Sequence, residues 1–466
     1  MRRTMAAIAV GLALSGCATY QARPIAPAAM QHAFEQRSLA SPALREFLRA
    51  NDTVGRDGTW DLSRLTYAAL YYHPDLAVAL AKWRAAQAAA ITAGARPNPS
   101  LNASSEYNAD APDGTSPWTR GGSLSIPVET AGKRRQRIAQ AVQLAEAARL
   151  ALADSAWQVR SRVRSSLLGV LSTEPLLRRQ QTLETERVRL MQRRVELGFA
   201  AQPDLTLARI ALQQVTLAAD EAHKRLAENR AALASALGVP IAALDNVALA
   251  LDEFGRVPGI KALPSQALRR DALLHRPDLL AALAEYQASE AALKLEVARQ
   301  YPDLTLSPGL LWDAGQAKWS LGLSLVLPLL NRNEGPIAEA RARREQAAAN
   351  VLLIQTRAIG EVEQAWAGYR AALEKLRSAD ALLQQQRRKT QSVERLRRAG
   401  ETERSTLLGA QVEAAAAEVS RQETLLQVQQ ALGALEDAIR QPVGAAAAFV
   451  PLDAIHSVLH QQDHAP

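Results

Sequence analysis

The sequence contains a single cysteine, Cys17, and aromatic residues make up only 4% of its 466 positions. One cysteine excludes a disulfide within the chain. After Cys17 there is no apolar run of transmembrane-helix length, so membrane passage by the mature chain would need β-strands closed into a barrel. The chain also lacks a phosphate-binding glycine loop, a cysteine–histidine pair and a His-Glu-x-x-His helix, which argues against an enzyme and predicts no cofactor.

Charge of one sign is not concentrated anywhere in the sequence. Lys and Arg exceed Asp and Glu by 55 to 47, but the two signs alternate along the chain and no basic run is paired with stacking aromatics. We therefore expect no nucleic-acid partner. The abundant residues are Ala, Leu, Gln, Arg and Glu, a composition typical of long helices packed through small side chains.

The first residues have the pattern of an export signal. Arg2 and Arg3 precede a short apolar stretch, and Leu14-Ser15-Gly16-Cys17 looks like a bacterial lipobox. We interpret residues 1–16 as a signal peptide and Cys17 as the site of lipid attachment, since its thiol has no intrachain partner. The alternative is a lone cysteine within an ordinary signal peptide. Ala18 follows the cysteine and, by resemblance to sorting rules, favours the outer membrane.

The chain repeats itself at an offset of 201 to 203 residues. Two of five ordered matches are His73-Pro74-Asp75-Leu76 with Arg276-Pro277-Asp278-Leu279, and Ile126-Pro127-Val128 with Leu327-Pro328-Leu329. Such self-similarity indicates a duplicated structural unit. The resulting division is a signal peptide (1–16), a lipidated N-terminal segment (17–59), a first unit (60–251), a linker (252–262), a second unit (263–443) and a tail (444–466).

Each unit contains two segments that alternate apolar and polar residues, the pattern of half-buried strands. The predicted strands cover about 100–108, 118–127, 303–312 and 318–328, a length that suits a tilted membrane strand. Tyr107, Trp118, Trp312 and Trp319 would all lie at one end of the hairpins, as in an interfacial aromatic belt. The alternative is a soluble sandwich with aromatics at its rim.

Long helical patterns follow each hairpin, over about 132–197 and 336–399, and shorter helices return over 205–237 and 406–439. Each long helix would reach about 100 Å, and Pro175 is expected to kink the first. Four strands cannot close a barrel, so several chains must combine, and three would supply twelve strands. The predicted fold class is therefore mainly α with transmembrane β, built from a duplicated helix–strand–strand–helix unit.

Three motifs carry a resemblance that covers nearly the whole mature chain. They are Arg96-Pro97-Asn98-Pro99-Ser100-Leu101, Gly132-Lys133-Arg134 and Leu329-Leu330-Asn331-Arg332-Asn333-Glu334-Gly335-Pro336-Ile337. The sequence resembles the TolC-type outer-membrane efflux proteins, and within them the heavy-metal branch. The resemblance implies a homotrimer with a twelve-stranded β-barrel continuous with a long periplasmic α-helical barrel. It also implies a periplasmic adaptor and an inner-membrane resistance–nodulation–division (RND) pump as partners, with outer-membrane lipid around the barrel.

The same resemblance suggests candidate sites. The helical turns Leu197-Gly198-Phe199 and Ala399-Gly400-Glu401 match the family's periplasmic tips and are candidates for adaptor contact, although glycine there is also an ordinary helix cap. Asp204 matches a position near the closed periplasmic mouth where three copies would form an acidic ring. The alternative is a helix N-terminal carboxylate stabilised by the dipole.

The sequence is also compatible with other interpretations. The same channel could serve drug or organic-compound efflux or type I secretion, and a non-channel periplasmic adaptor lipoprotein is a further alternative. His456, His460 and His464 recur every four residues in the tail. On a helix they would share a face that could hold a divalent metal, but a short polar tail of this kind is more often disordered.

Overall fold

A computed structural model describes residues 20–51, 59–112 and 114–443. The predicted signal peptide, Cys17 and the three tail histidines lie outside these residues. Within them, none of the helices combines the length and hydropathy that a bilayer-spanning segment needs.

The element order repeats, as the duplication predicts. The N-terminal segment contains α1 (Pro27–Glu35) and α2 (Pro42–Ala50). The first unit contains α3 (Leu62–Tyr72), α4 (Pro74–Gly94), β1 (Ser100–Tyr107), β2 (Trp118–Val128), α5 (Lys133–Val170), α6 (Glu174–Glu196) and α7 (Gln202–Leu237). The second contains α8 (Ser265–His275), α9 (Pro277–Ala298), β3 (Leu304–Asp313), β4 (Gln316–Leu325), α10 (Glu334–Arg398) and α11 (Arg404–Ile439). Two short 3₁₀ turns, Asp252–Gly255 and Ile260–Ala262, lie between the units, and a third, Ile241–Leu244, follows α7 at the end of the first unit.

The long helices differ between the units. In the first unit α5 ends at Val170 and α6 starts at Glu174, whereas α10 runs unbroken for 65 residues. Pro175 lies in the first turn of α6, where its missing N–H leaves no helical bond unmade. The expected kink is therefore a full interruption, and it precedes the proline.

The four strands form one antiparallel sheet in the order β1-β2-β3-β4. The last hairpin is tighter than expected: Asp313 pairs with Gln316 across Ala314 and Gly315, both of which have positive φ. Such a two-residue turn matches the right-handed twist of the strands. Consequently β4 starts at Gln316 instead of about 318, and it ends at Leu325 instead of 328.

Two apolar cores stabilise the helical part. The larger one joins α2 to the first unit, with Phe47, Leu65, Val163 and Leu237 almost fully buried. The second belongs to α8, α10 and α11, around Tyr369 and Leu435. Both cores lie where the short helices of a unit meet the return helix, so the long helices extend from a fixed base.

Candidate functional site

The register of the sheet separates two faces. One face carries apolar pairs such as Leu101 with Leu124, Leu306 with Leu323, and Leu304 with Leu325. The other carries small polar pairs, including Ser100 with Ser125, Asn102 with Ser123, and Thr305 with Ser324. The sheet therefore has one apolar and one polar face. The register of the strands places the apolar residues of each strand beside those of its neighbour, and the polar residues beside polar ones.

The four aromatic residues lie at the same end of the sheet. Tyr107 pairs directly with Trp118, with ring centroids 5.0 Å apart in an edge-on arrangement. Trp312 lies opposite Arg120 and Trp319 opposite Leu310, three residues after the start of β4. Arg120 interrupts the apolar face, but its guanidinium lies 5.3 Å from the centre of the Trp118 ring. Membership of these residues in an interfacial belt stays a prediction.

The helical tips have the same backbone geometry in both units. Gly198 and Gly400 have φ of +74° and +80°, and the next residue donates to a carbonyl five residues earlier: Phe199 to Arg194 and Glu401 to Leu396. Their side chains differ. Leu197 and Phe199 are 63% and 71% exposed, whereas the second tip presents Ala399 and Glu401, also exposed.

Asp204 lies at the start of α7, and its carboxylate accepts a hydrogen bond from the backbone N–H of Ala201 at 3.2 Å. The side chain is exposed. The geometry is that of a helix cap, the alternative reading of this residue. A role in an acidic ring requires neighbouring copies and stays a prediction.

Contacts between the two hairpins near the tips could not be found from the sequence. Arg194 on α6 forms an ion pair with Glu403 and donates to the Ser405 hydroxyl at 3.2 Å. Arg404 on α11 lies 3.7 Å from Glu186. The partners are about two hundred residues apart and carry no local pattern, so only the docking of α6 against α11 brings them together.

A buried ionic cluster joins α5 to the end of α11. Arg160 and Arg164 both bind Glu436, at 3.3 and 3.0 Å, and all three side chains are less than a tenth exposed. Burial lowers the pKa of Arg164, while the neighbouring Glu436 carboxylate acts in the opposite direction. A buried pair of this kind fixes relative position more than it adds stability. It holds the two units in one register. Among the described residues no group of His, Cys, Asp and Glu could hold a metal ion.

Taken together, a two-faced sheet with long helical hairpins below it is the architecture of an outer-membrane channel subunit. A family model described as outer membrane efflux protein matches residues 65–239 and 268–439, one match in each unit. The chain belongs to the outer membrane efflux protein family, whose members are channels and not enzymes.

Three curated relatives carry names that refer to metal resistance, to pyoverdine export and to an outer membrane lipoprotein. CzcC of Cupriavidus metallidurans, a cobalt-zinc-cadmium resistance protein, is 29% identical over 48% of this chain and 53% of its own length. OpmQ of Pseudomonas aeruginosa, a pyoverdine export outer membrane protein, is 29% identical over 67% of this chain and 70% of its length. SilC of Salmonella typhimurium, a probable outer membrane lipoprotein, is 28% identical over 72% and 76%. The alignment with CzcC thus spans only about half of that protein.

Solved structures share the fold. The outer-membrane channel OprN superposes with a TM-score of 0.66 at 21% identity, covering 81% of this chain and 89% of OprN. The fold class expected from the sequence, mainly α with a small β domain, is confirmed.

Proposed function

We propose that three copies of the chain close a twelve-stranded barrel by pairing β1 of one copy with β4 of the next. Within the described residues β1 pairs only with β2, and β4 only with β3. Unpaired strand edges are not tolerated in lipid, so a membrane sheet must close. The observation that carries the proposal is this pair of open edges on a sheet with one apolar and one small polar face.

In this arrangement the Ser, Thr, Asn and Gly face lines a wet passage, and the leucine face contacts lipid. The same association would align α5, α6 and α10 into a tube in the periplasm. It would also cover large apolar side chains that one copy leaves exposed on its long helices: Val142, Leu144, Leu352 and Leu353. The assembly has no energy source of its own and serves as a passive conduit.

Two adjacent residues of β4 test the assignment of the faces. Leu321 pairs with Pro308 on the apolar face, whereas Ser320 pairs with Gly309 on the polar face. Leu321→Lys places a charge in lipid near mid-strand, at about 2–4 kcal/mol per chain, and should sharply reduce detergent-resistant trimers in isolated outer membranes. Ser320→Lys should assemble normally and reduce cation conductance in planar bilayers, since three positive charges would line the passage.

Equal loss of trimers in both variants would contradict the assignment of the faces. A wild-type chain that is monomeric in mild detergent and forms no pore would contradict the channel itself. That second result would favour the non-channel periplasmic lipoprotein.

The tips are the proposed contact with a periplasmic adaptor, which would link the channel to an inner-membrane RND pump. Leu197 and Phe199 provide exposed apolar anchors. Between positions 186–210 and 390–410 the chain has nine arginines and six carboxylates, a surplus of three positive charges per copy. A further copy brings the same surplus and cannot neutralise it. The partner surface should therefore be acidic, with binding that weakens as salt is raised.

The proposed cargo is heavy-metal cations, supported by the likeness to the cobalt-zinc-cadmium resistance protein. An organic cargo is the second candidate, because the pyoverdine exporter aligns over a larger share of the chain. Survival of a deletion strain on zinc, cobalt, cadmium and copper, compared with antibiotics, separates the two. Sensitivity to antibiotics alone would reject the metal cargo and leave the channel intact.

We also propose that Cys17 anchors the chain by lipid in the outer membrane, from which it extends into the periplasm. The lipobox-like context and the likeness to a probable outer membrane lipoprotein support this. Radiolabelled palmitate should be incorporated into the wild-type chain and not into Cys17→Ser. Incorporation into that variant would refute the assignment.

A further inference from the structure

Glu184 is a carboxylate buried in the helical part of the chain without adequate partners. Its side chain is only 4% exposed. Oε2 has no hydrogen-bond partner, and the nearest cation, the Arg187 guanidinium, lies 3.6 Å away, which is beyond a normal hydrogen bond. An ionised carboxylate in this position loses hydration and gains little in return.

The position of Glu184 places it between the two hairpins. It follows Leu177 by seven residues on α6, so both side chains lie on the same helix face. Leu177 packs against Ala219 and Ala222 of α7 and Val419 of α11. Glu184 therefore occupies the next heptad of the same apolar seam, one step nearer the tips. We call this contact of α6 with α7 and α11 the hairpin seam.

Charged groups on the surrounding helices are engaged elsewhere. On α11, Glu413 binds Lys389, and Glu418 binds Arg179 and Arg387. On α6, the neighbouring Glu186 faces Arg404. Between Leu205 and Ala219, α7 carries a single charged residue, Arg209, which is exposed. Arg187 is thus the one charge that opposes the effect of burial on Glu184.

We propose that Glu184 is a gating residue that holds a proton more readily while the hairpin seam is packed than when α6 separates from α11. Separation admits water to the carboxylate and lets Arg187 form a full ion pair with it. Opening then favours release of this proton, and alkaline conditions favour opening. The inter-hairpin ion pair Arg194–Glu403 acts in the opposite sense by holding the tips together. This inference rests on the proposed channel function, in which the periplasmic end must open.

The direction of the pH effect follows from burial, which raises the pKa of Glu184 above 4.5 in the packed state. Below the pKa of the hydrated carboxyl, Glu184 is neutral in both states and the seam is most stable. As pH rises toward the packed-state pKa, the separated state loses its proton first and the seam weakens. Above that pKa the effect levels off.

Hydrogen–deuterium exchange of α6 peptides in the detergent-solubilised trimer measures opening of the seam directly. After correction for intrinsic exchange, the opening constant of the wild type should rise as pH increases above 4.5 and then level off, by at most about tenfold per pH unit for one proton. Glu184→Gln keeps the shape without the titration, so this rise should disappear. Glu186→Gln, two residues away on another face, removes the ion pair with Arg404 and raises the opening constant at every pH, but it should keep the rise with pH.

Glu184→Leu supplies a second variant that extends the apolar heptad. It should also lose the pH dependence and protect α6 more strongly than the wild type at pH 8. A Glu184→Gln chain that retains the wild-type pH dependence, or a Glu186→Gln chain that loses it, would overturn the proposal.

Conductance in planar bilayers separates this inference from the channel proposal. Open probability should increase with pH in the wild type and be independent of pH in Glu184→Gln. If the wild type forms no pore, the channel proposal fails, and the exchange experiment still decides the role of Glu184. If pores open with the same pH dependence in both chains, the gating role is refuted and the channel stands.

Discussion

The two units keep one backbone but use different chemistry at the bend before the second short helix. His73 and Arg276 are 203 residues apart, and each precedes the proline that starts α4 or α9. His73 accepts a hydrogen bond from the Asp75 N–H through Nδ1. Arg276 is almost fully buried and binds the Asp278 and Glu361 carboxylates at 2.7 and 2.6 Å.

The long helices have opposite charge at this bend. In the first unit Arg162 of α5 donates to Asp75 at 2.6 Å, with both side chains about half exposed. In the second unit, Glu361 of α10 accepts a hydrogen bond from Arg276. Burial lowers the pKa of His73, and Arg162 adds to this effect, so the neutral imidazole is favoured. Burial acts against the charge of Arg276 as well, but its two carboxylates outweigh burial and raise its pKa.

Each unit also ties the bend to the end of its return helix, by different means. Arg37, from the segment between α1 and α2, donates to the carbonyls of Tyr72 and Gly238 at 3.1 and 2.7 Å. In the second unit Arg276 itself donates to the carbonyl of Ala438 at 2.9 Å. Both units thus keep this connection between the bend and the return helix. In the first unit its cation, Arg37, comes from the N-terminal segment, whereas in the second unit Arg276 belongs to the unit itself.

The largest effect is expected from removing the internal cation. Arg276→Ala leaves Asp278, Glu361 and a buried carbonyl without their donor, and should lower the free energy of unfolding by about 3 kcal/mol. Arg37→Ala should lower it by about 1–2 kcal/mol, because the two carbonyls it releases are closer to solvent. Urea denaturation of the detergent-solubilised chain measures both. Equal effects would show that the two arginines stabilise the bends of their units to the same extent.

The return helices offer a second contrast, in which one Gly→Ala substitution should destabilise the chain and another should stabilise it. Gly433 of α11 corresponds to Ala231 of α7, and a Cβ at Gly433 would clash with Nη1 of Arg164. Gly433→Ala should therefore displace Arg164 from Glu436 and destabilise the chain by about 2 kcal/mol. Gly409→Ala, on the same helix with nothing within 4 Å, should stabilise it by up to about 1 kcal/mol. Thermal unfolding of the two variants provides the test. Stabilisation by both would mean that Arg164 relocates without loss.

The sequence was sufficient for features that local periodicity encodes. Alternation predicted strands over about 100–108, 118–127, 303–312 and 318–328, and the repeat offset predicted the order of elements. Alternation cannot mark a two-residue turn, because the pattern continues across it. For this reason β4 was expected to begin at about 318, whereas the strand starts two residues earlier at Gln316.

Contacts between the units were not predictable in the same way. Arg194 with Glu403, and Arg164 with Glu436, join residues more than two hundred positions apart. In a helix surface full of Arg and Glu, no feature distinguishes these from solvated neighbours. Glu184 was equally hidden, since only the packing of α6 on α11 removes it from water. The sequence therefore predicted the candidate site at the level of faces and tips, whereas the ion pairs that join the hairpins are visible only in the structure.

The smallest effect concerns the break between α5 and α6, which α10 lacks. Pro175→Ala should change the free energy of unfolding by less than about 1 kcal/mol, because a proline in the first helical turn displaces no hydrogen bond. The interruption should persist, since Ser172 Oγ accepts from the N–H of Glu174 at 3.0 Å. Ser172→Ala removes this acceptor and should cost about 1 kcal/mol. Urea denaturation ranks the two variants by stability, and far-ultraviolet circular dichroism reports any helix gained. A rise in helix content in Pro175→Ala would show that the proline, and not the Ser172 hydrogen bond, separates the first unit's long helix from its unbroken counterpart.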